Sequence, residues 1–407
     1  MTLHAIAEPL TRATGYRMRH PLWNLGFRPF YLLASSFAVF AIPFWIVNYF
    51  GWLGTAKLSS FHVGLNWHMH EMVFGMVIAV IIGFLYTAGK NWTGLWTPRH
   101  GHLAGLAVLW MAGRIAMLVA GTLPPSLMLI AILIDILFLP LATWPMYRVL
   151  RQSGNTRNLF LVGLLGLLTF ANIIFHASTL GWIQLDPMRS IHAAILVIVV
   201  MESVIGARVI PMFTRNGAPG TTPIVHIGRD RVTLILTVCA VLASIAELPA
   251  LIQAITAGAA AIAIMVRLIG WNPHRTLHVP MLWILHLSYA WIAIGFLLLT
   301  LAALNIVPTS TAFHALAVGS ISGLILGMMT RTALGHTGRK LTAGRAEVAI
   351  YWLIQLGALA RVLATFTHLL NQSLLICAAI CWSLAFLSYC VSYGPILFQA
   401  RIDGSEG

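Results

Sequence analysis

Charged residues are scarce in this chain of 407 residues, and acidic residues are the scarcest of them. Only 8% of the residues are charged and 59% are hydrophobic, which excludes a soluble globular domain of this length. Cysteine is also rare. The four cysteines lie in apolar stretches and form no Cys-x-x-Cys-His motif, so covalently attached c-type haem is excluded. The composition predicts a protein that crosses a membrane several times.

The apolar runs are long enough to form spanning helices, since about 20 helical residues cross the roughly 30 Å of hydrocarbon in a bilayer. They fall near residues 30–50, 67–88, 102–121, 126–148, 158–182, 188–212, 231–249, 250–270, 279–304, 311–334, 347–370 and 372–399. Only Glu247 and Pro249 separate the seventh run from the eighth. We therefore expect an all-α, polytopic membrane bundle of about twelve helices over residues 30–399.

The basic residues predict the orientation of this bundle. Most of the 24 Lys and Arg residues lie in segments that share one side of the membrane, so the positive-inside rule places both termini in the cytoplasm. Residues 1–29 and 400–407 are then a cytoplasmic N-terminal segment and a cytoplasmic tail, and no cleavable signal peptide is evident. The basic residues that give the net charge of +14 lie mainly in the segments on the inner side of the membrane, so we expect no nucleic-acid partner. The predicted location is a bacterial inner membrane, with the lipid bilayer as partner.

In this orientation, many of the sixteen histidines meet at the outer membrane face. They are His62, His68, His70, His176, His192, His314 and His368. Helices two, six and ten each carry a histidine in their first turns. Ionisable side chains at membrane depth cost at least a few kcal/mol, and they mark functional sites by default. The pattern resembles the catalytic subunits of haem-copper oxidases, although it lacks their paired histidines on helix seven and their His-x-His on helix ten. It predicts a haem or metal site.

The segment 67–72, of sequence WHMHEM, opens the second helix. His68 and His70 lie about 200° apart around a regular helix, so they cannot bind one metal and should serve different centres. His68 lies above a stripe of Gly75, Ala79 and Gly83. This stripe is either a flat wall for a porphyrin or a surface for close helix packing. We favour His68 as a haem ligand.

The remaining outer histidines are candidate ligands of iron or of a second metal. His314 is the expected partner of His68 or a ligand of the neighbouring centre. His70 then points elsewhere, with His192, His176 and His368 as candidate companions. Copper suits imidazole ligands, and the thioether of Met69 or Met72 suits Cu(I), but zinc is equally compatible with these ligand types.

Five ionisable residues within the predicted helices complete the candidate site. Glu71 could orient a metal ligand or deliver protons. Glu202 lies ten residues below His192 and could begin a proton path toward the outer site. Arg361 could neutralise a haem propionate through a charge-assisted hydrogen bond. Arg114 and Asp135 fall at similar depth on adjacent helices, where they could simply pair.

Several local strings resemble those of the NnrS family of bacterial haem- and copper-containing membrane proteins, nearly from end to end. They are GFRPF at 26–30, WHMHEMVFG at 67–75, GFLYTA at 83–88, NWTG at 91–94, GARVIPMFT at 206–214, LHL at 285–287, HA at 314–315 and MTRTALGHTGR at 329–339. The resemblance implies non-covalent haem b and copper. It also makes His286, His336 and Arg331 candidate cofactor-binding residues, although 335–345 would serve equally well as an ordered basic loop.

The resemblance also implies a role in nitric oxide metabolism and in defence against nitrosative stress. Together with the outer histidines, it predicts reduction of NO to N2O at a haem with a second metal. His68 and His314 would hold iron, His70 and His192 the second metal, and Glu71 would deliver protons. Electrons would come from a quinol or a redox protein. The alternatives are a non-catalytic haem or copper protein that binds NO or handles metal, and a transporter.

Overall fold

The computed structural model describes residues 20–52, 63–367 and 369–405, and all regular structure within them is helical. The long helices are α1 (Phe27–Tyr49), α2 (Leu65–Thr93), α3 (His100–Val119), α4 (Pro125–Gln152), α5 (Leu159–Thr179), α6 (Pro187–Gly217), α7 (Ile227–Ile245), α8 (Ala250–Ile269), α9 (Pro280–Ala303), α10 (Thr309–His336), α11 (Arg345–Leu363) and α12 (Asn371–Phe398). The predicted all-α bundle is confirmed, and the order of its helices matches the apolar runs.

Eleven of these helices are long and apolar enough to cross a membrane, counted over the described ranges. The exception is α7, whose first five residues include Arg229, Asp230 and Arg231. This helix nevertheless packs between α6 and α8. The expected break before α8 is present, and Glu247 there adopts a positive φ of 48°. The protein is therefore a multi-pass membrane bundle, while the orientation of its termini stays a prediction.

Local sequence signals explain where several of the helices begin and end. Proline occupies the first helical position of α4, α6 and α9, where its missing N–H is not needed. The carboxylate of Asp186 caps α6 by accepting the N–H of Met188 at 2.9 Å. Gly94 ends α2 in the left-handed conformation, with φ of 72°, which glycine adopts without strain.

The helices form a closed bundle with α2 and α10 at its centre. From α3 onward each helix packs against the next, and α12 returns to pack against α1. In both α2 and α10, 78% of the apolar 18-residue stretch that could span the membrane is buried. The corresponding share is 28% to 61% in the other spanning helices. The two helices that carry His68, His70 and His314 are therefore the best shielded from lipid.

Both central helices contain a wide π-helical turn directly after a candidate histidine. In α2 it covers Glu71–Val77 and follows His70, and in α10 it covers Ala315–Ser322 and follows His314. Such turns contain extra residues, are rare, and occur frequently at functional sites. They rotate the rest of each helix relative to its histidine, so a regular 3.6-residue period cannot predict which side chains share a face.

The basic segment after α10 fastens the end of the chain to the bundle. Arg339 donates a hydrogen bond to Oε1 of Gln399 at 2.7 Å, and the N–H of Ile402 donates to the carbonyl oxygen of Thr337 at 3.2 Å. Arg401 donates to the carbonyl oxygen of His336 at 3.1 Å. These bonds support the interpretation of 335–345 as an ordered basic segment.

Candidate functional site

A cavity of about 260 Å³ lies between α1, α2, α6, α10, α11 and α12. Its polar lining includes the imidazoles of His68, His192 and His314 and the guanidinium of Arg361, and most of the remaining wall is apolar. The histidines at the starts of the second, sixth and tenth helices are thus brought together. We call this space the histidine cavity.

The imidazoles of the histidine cavity are held so that nitrogen atoms remain available. The Nδ1 of His314 donates to the carbonyl oxygen of Ser310 at 2.7 Å, which leaves the lone pair on its Nε2. The Nδ1 of His68 is buried and has no hydrogen-bond partner within the described ranges. Its ring stacks on Trp45, with the centroids 4.0 Å apart and the planes 16° apart. Both residues can therefore serve as ligands.

The ring of His192 is fixed in the same way. It stacks on Phe313 with a centroid distance of 3.6 Å and an interplanar angle of 2°. The cavity wall also contains four thioethers, two of which, Met69 and Met72, belong to the WHMHEM segment. Imidazole and thioether are both ligands that copper accepts.

This set of side chains fits a non-covalent haem. The imidazoles of His68 and His314, on the two central helices, line the same apolar space. Nδ1 of His68 is buried and makes no hydrogen bond within the described residues, so it is available to a metal. Arg361, on α11, supplies a positive charge at the wall where an acidic propionate could bind. A metal or haem site is therefore compatible with the chemistry of the cavity.

The glycine stripe of α2 does not form the cavity wall. A Cβ on Gly75 would lie 2.8 Å from Nη1 of Arg114, and a Cβ on Gly83 would lie 3.0 Å from Cβ of Phe30. The expectation of a porphyrin wall is therefore wrong, and the alternative of close packing is confirmed. The cause is the wide turn Glu71–Val77, which places Val73 and Met76 below His68 instead.

A smaller cavity of about 100 Å³ adjoins the histidine cavity and contains Glu202. The two cavities share Val77, Ile198 and Ile321 as wall residues. The Oγ of Ser320, within the wide turn of α10, donates to Oε2 of Glu202 at 2.9 Å. Glu202 thus lies in a cavity that adjoins the histidine cavity, and its role in proton transfer stays a prediction.

A second group of polar side chains is buried on the other side of α2. It consists of His70, Glu71, Arg114, Asp135, Asn172 and His176, and we call it the ionic cluster. Arg114 binds Oε1 of Glu71 at 2.5 Å and also binds Oδ1 of Asp135, so the predicted pairing of Arg114 with Asp135 is confirmed. Nδ1 of His70 lies 2.9 Å from Oε1 of Glu71.

The remaining contacts of the ionic cluster meet at one oxygen atom, Oδ2 of Asp135. Nε2 of His70 and Nε2 of His176 lie 3.1 and 3.0 Å from it. Asn172 donates to the same oxygen at 2.9 Å, and its own Oδ1 lies 3.0 Å from Nε2 of His70. His70, Asp135 and His176 could hold a metal ion, because their ligand atoms lie within 4.8 Å of one another.

The predicted grouping of the ligands needs two corrections. His70 was expected to share a metal with His192, but His192 lines the histidine cavity while both nitrogens of His70 face the ionic cluster. Glu71 was expected to deliver protons to the haem site. Its carboxylate instead points away from the cavity and binds Arg114, so it does not line that site.

The inner candidates also lie apart from the histidine cavity. Nε2 of His286 lies 2.8 Å from the hydroxyl of Thr214. His336 packs against the ring of Phe27, and the guanidinium of Arg331 lies 3.8 Å from the ring centre of Phe213. None of His286, His336 and Arg331 lines the histidine cavity, so any cofactor that they bind would lie elsewhere, and their role stays a prediction. His368 lies outside the described residues.

Several contributors were missed at the level of sequence. Asp135 was noticed as a buried charge but not as the point where two histidines meet, and Asn172 gave no signal at all. Trp45 and Phe313, which hold the rings of the cavity, are indistinguishable in sequence from ordinary aromatic residues of a membrane helix. Their roles depend on contacts between distant helices.

Comparison with known proteins gives one clear result. The comparison with curated proteins finds no match. The model of the family described as NnrS protein matches residues 21–401, which is nearly the whole chain and includes all of the candidate ligands. The chain therefore belongs to the NnrS family, and it is a multi-pass membrane protein linked to the response to nitric oxide.

Proposed function

We propose that this protein is a haem- and copper-containing oxidoreductase that reduces nitric oxide in nitrosative-stress defence or denitrification. The reaction is 2 NO + 2 e⁻ + 2 H⁺ → N2O + H2O, near the predicted outer face of a bacterial inner membrane. The observation that carries the proposal is the meeting of His68, His192 and His314 with Arg361 at one apolar cavity.

Haem b is the cofactor that the cavity suits. His68 and His314 would hold its iron through their available nitrogens, and Arg361 would bind a propionate. Bound haem would supply an iron atom that can bind NO and can itself change oxidation state. The aromatic rings of Trp45 and Phe313 keep the neighbouring imidazoles in place, so little reorganisation accompanies binding.

Copper is the second metal of the proposal. With His70 removed from the cavity, the donors that remain there are His192 and thioethers such as those of Met69 and Met72. Soft thioethers and imidazole together select copper over hard cations. These residues would hold copper beside the haem and bring two small substrates within reaction distance, so that a bimolecular step becomes effectively unimolecular.

Protons and substrate would reach the cavity from different directions. NO is small and apolar and can enter from the lipid bilayer. Glu202, hydrogen-bonded to Ser320 in the adjoining cavity, would pass protons toward the histidine cavity. Electrons would come from a quinol or from a redox protein.

The proposal is tested with purified protein in detergent, supplied with a reduced quinol and NO. Loss of NO should be matched by N2O at half the molar amount, and the His68→Ala variant should show neither. The exposed His102→Ala variant serves as control and should retain both activities. Haem that binds NO but yields no N2O with any donor would contradict reduction and identify the protein as a non-catalytic NO-binding protein.

A further inference from the structure

The ionic cluster is separate from the histidine cavity, and the proposed reaction makes no use of it. Its side chains come from α2, α3, α4 and α5, and each is buried. None of His70, Asp135 and His176 lines the cavity. A group of this polarity inside a membrane bundle requires an explanation of its own.

The charges of the ionic cluster do not balance when its imidazoles are neutral. Glu71 and Asp135 contribute two negative charges, and Arg114 contributes one positive charge. One negative charge is left in a dry interior, where an uncompensated charge is strongly destabilising. A further single positive charge is therefore needed, and it can be a proton on an imidazole, a cuprous ion, or a zinc ion whose fourth ligand is a hydroxide.

The hydrogen bonds show where that cation belongs. Nδ1 of His70 lies beside Oε1 of Glu71, so this nitrogen carries the hydrogen atom. Nε2 of His70 then faces two oxygens, Oδ2 of Asp135 and Oδ1 of Asn172. Because the amide nitrogen of Asn172 donates to Asp135, its Oδ1 can only accept. A lone pair on Nε2 would face two acceptors, so positive charge is required at this point.

We propose that a transition-metal ion, zinc or copper, binds between Nε2 of His70, Nε2 of His176 and Oδ2 of Asp135. The two nitrogens lie 3.1 and 3.0 Å from that oxygen. These separations are close to the edge, about 3.3 Å, of a tetrahedron whose metal–ligand bonds are about 2.0–2.1 Å long. Zinc accepts imidazole and carboxylate together, and copper accepts imidazole.

The surrounding residues orient these ligands as in known metal sites. A histidine that binds metal commonly donates its other N–H to a carboxylate, and Glu71 occupies that position beside His70. Arg114 holds Glu71 and the second oxygen of Asp135. Gly75 leaves the space for Arg114, since a Cβ there would lie 2.8 Å from Nη1.

The ion would join α2, α4 and α5, because each of these helices supplies one ligand. It would fix α2 two residues from His68, at the start of the wide turn. The proposed site is thus a structural one that joins three helices and takes no part in the chemistry of the haem cavity.

Elemental analysis of purified protein tests this site. Wild-type protein, His176→Gln and the exposed-histidine control His102→Gln are each prepared with zinc or with cuprous ion, and metals are counted per chain. Wild type and control should contain one more non-iron metal ion than His176→Gln, with an unchanged haem absorption band. Equal metal content in all three proteins would overturn the proposal and leave a proton as the cation. The metal that is retained identifies which of the two ions the site selects.

A second measurement applies even if His176→Gln does not fold. The His192→Ala variant lacks the imidazole of the proposed cavity copper but retains the ionic cluster. X-ray absorption at the edge of the remaining metal should show nitrogen and oxygen neighbours, including imidazole, and no sulfur. Absence of any non-iron metal from this variant would overturn the site. Failure of the haem proposal would remove haem and leave this metal in place, so the two failures are distinguishable.

Discussion

Helix α2 separates two buried regions that differ in chemistry although each receives a histidine from the same six-residue segment. In the histidine cavity, the nitrogens of His68 and His314 have few competing contacts and the walls are apolar. In the ionic cluster, each nitrogen of His70 faces an oxygen. Helices α6 and α10 bring imidazoles to the first region. Helices α3 and α4 bring charges to the second region, and α5 adds an amide and an imidazole. The neighbouring helices, more than the segment itself, determine what each histidine can do.

The largest expected effect distinguishes the two regions by haem content. His68→Ala should abolish the haem absorption band of the purified protein, because the side chain that would hold iron is lost. His102→Ala, at an exposed position, should leave the band unchanged. Retention of full haem content by His68→Ala would place the cofactor elsewhere and remove the contrast between the regions.

The next effect concerns stability and belongs to the ionic cluster. Arg114→Met should destabilise the protein by about 3–5 kcal/mol, because it leaves Glu71 and Asp135 buried without their partner. Thermal unfolding in detergent measures the change.

The matched control is Arg189→Met. Arg189 pairs with Glu247, but the side chains are 40% and 56% exposed, so this change should cost only about 0–1 kcal/mol. Similar losses in both variants would show that burial does not distinguish the cluster from a surface ion pair.

The third effect tests the link between the cavities. Glu202→Gln preserves the shape of the side chain and can still bind Ser320, but it cannot carry a proton. N2O formation should fall on the order of a hundredfold, at the lower end of what a general acid contributes, while haem content is retained. Glu247→Gln, at an exposed position, should not change the rate. An unchanged rate in Glu202→Gln would assign proton delivery to another group.

The sequence predicted the helices and the meeting of His68, His192 and His314 because both depend on signals that remain local. Apolar length predicts each span, and helix direction predicts which end carries its histidine. To predict which histidines share a side of the membrane, one needs to know only that successive helices run in opposite directions. For the same reason, the pairing of Arg114 with Asp135 could be expected from depth alone.

The faces of α2 could not be predicted in the same way. The argument that placed Gly75 below His68 assumed a regular helix, and the wide turn Glu71–Val77 breaks that assumption without a marker in the sequence. The partner of His70 depends on how α2 packs against α4 and α5. That packing is a property of the assembled bundle, so the sequence could not choose among His192, His176 and His368 as the companion of His70. The structure groups His70 with His176, and with Asp135.

The smallest expected effect concerns the inner histidine, which belongs to neither region. His286→Leu should change the stability by only about 0.5–1.5 kcal/mol, the usual net contribution of one hydrogen bond, because Thr214 keeps its bond to the carbonyl oxygen of Ile210 at 2.9 Å. Haem content and the position of the haem band should not change, since His286 does not line the histidine cavity. Thermal unfolding and the optical spectrum check both expectations on one sample. A shifted or missing haem band would instead make His286 a ligand, and the contrast would then involve three buried regions.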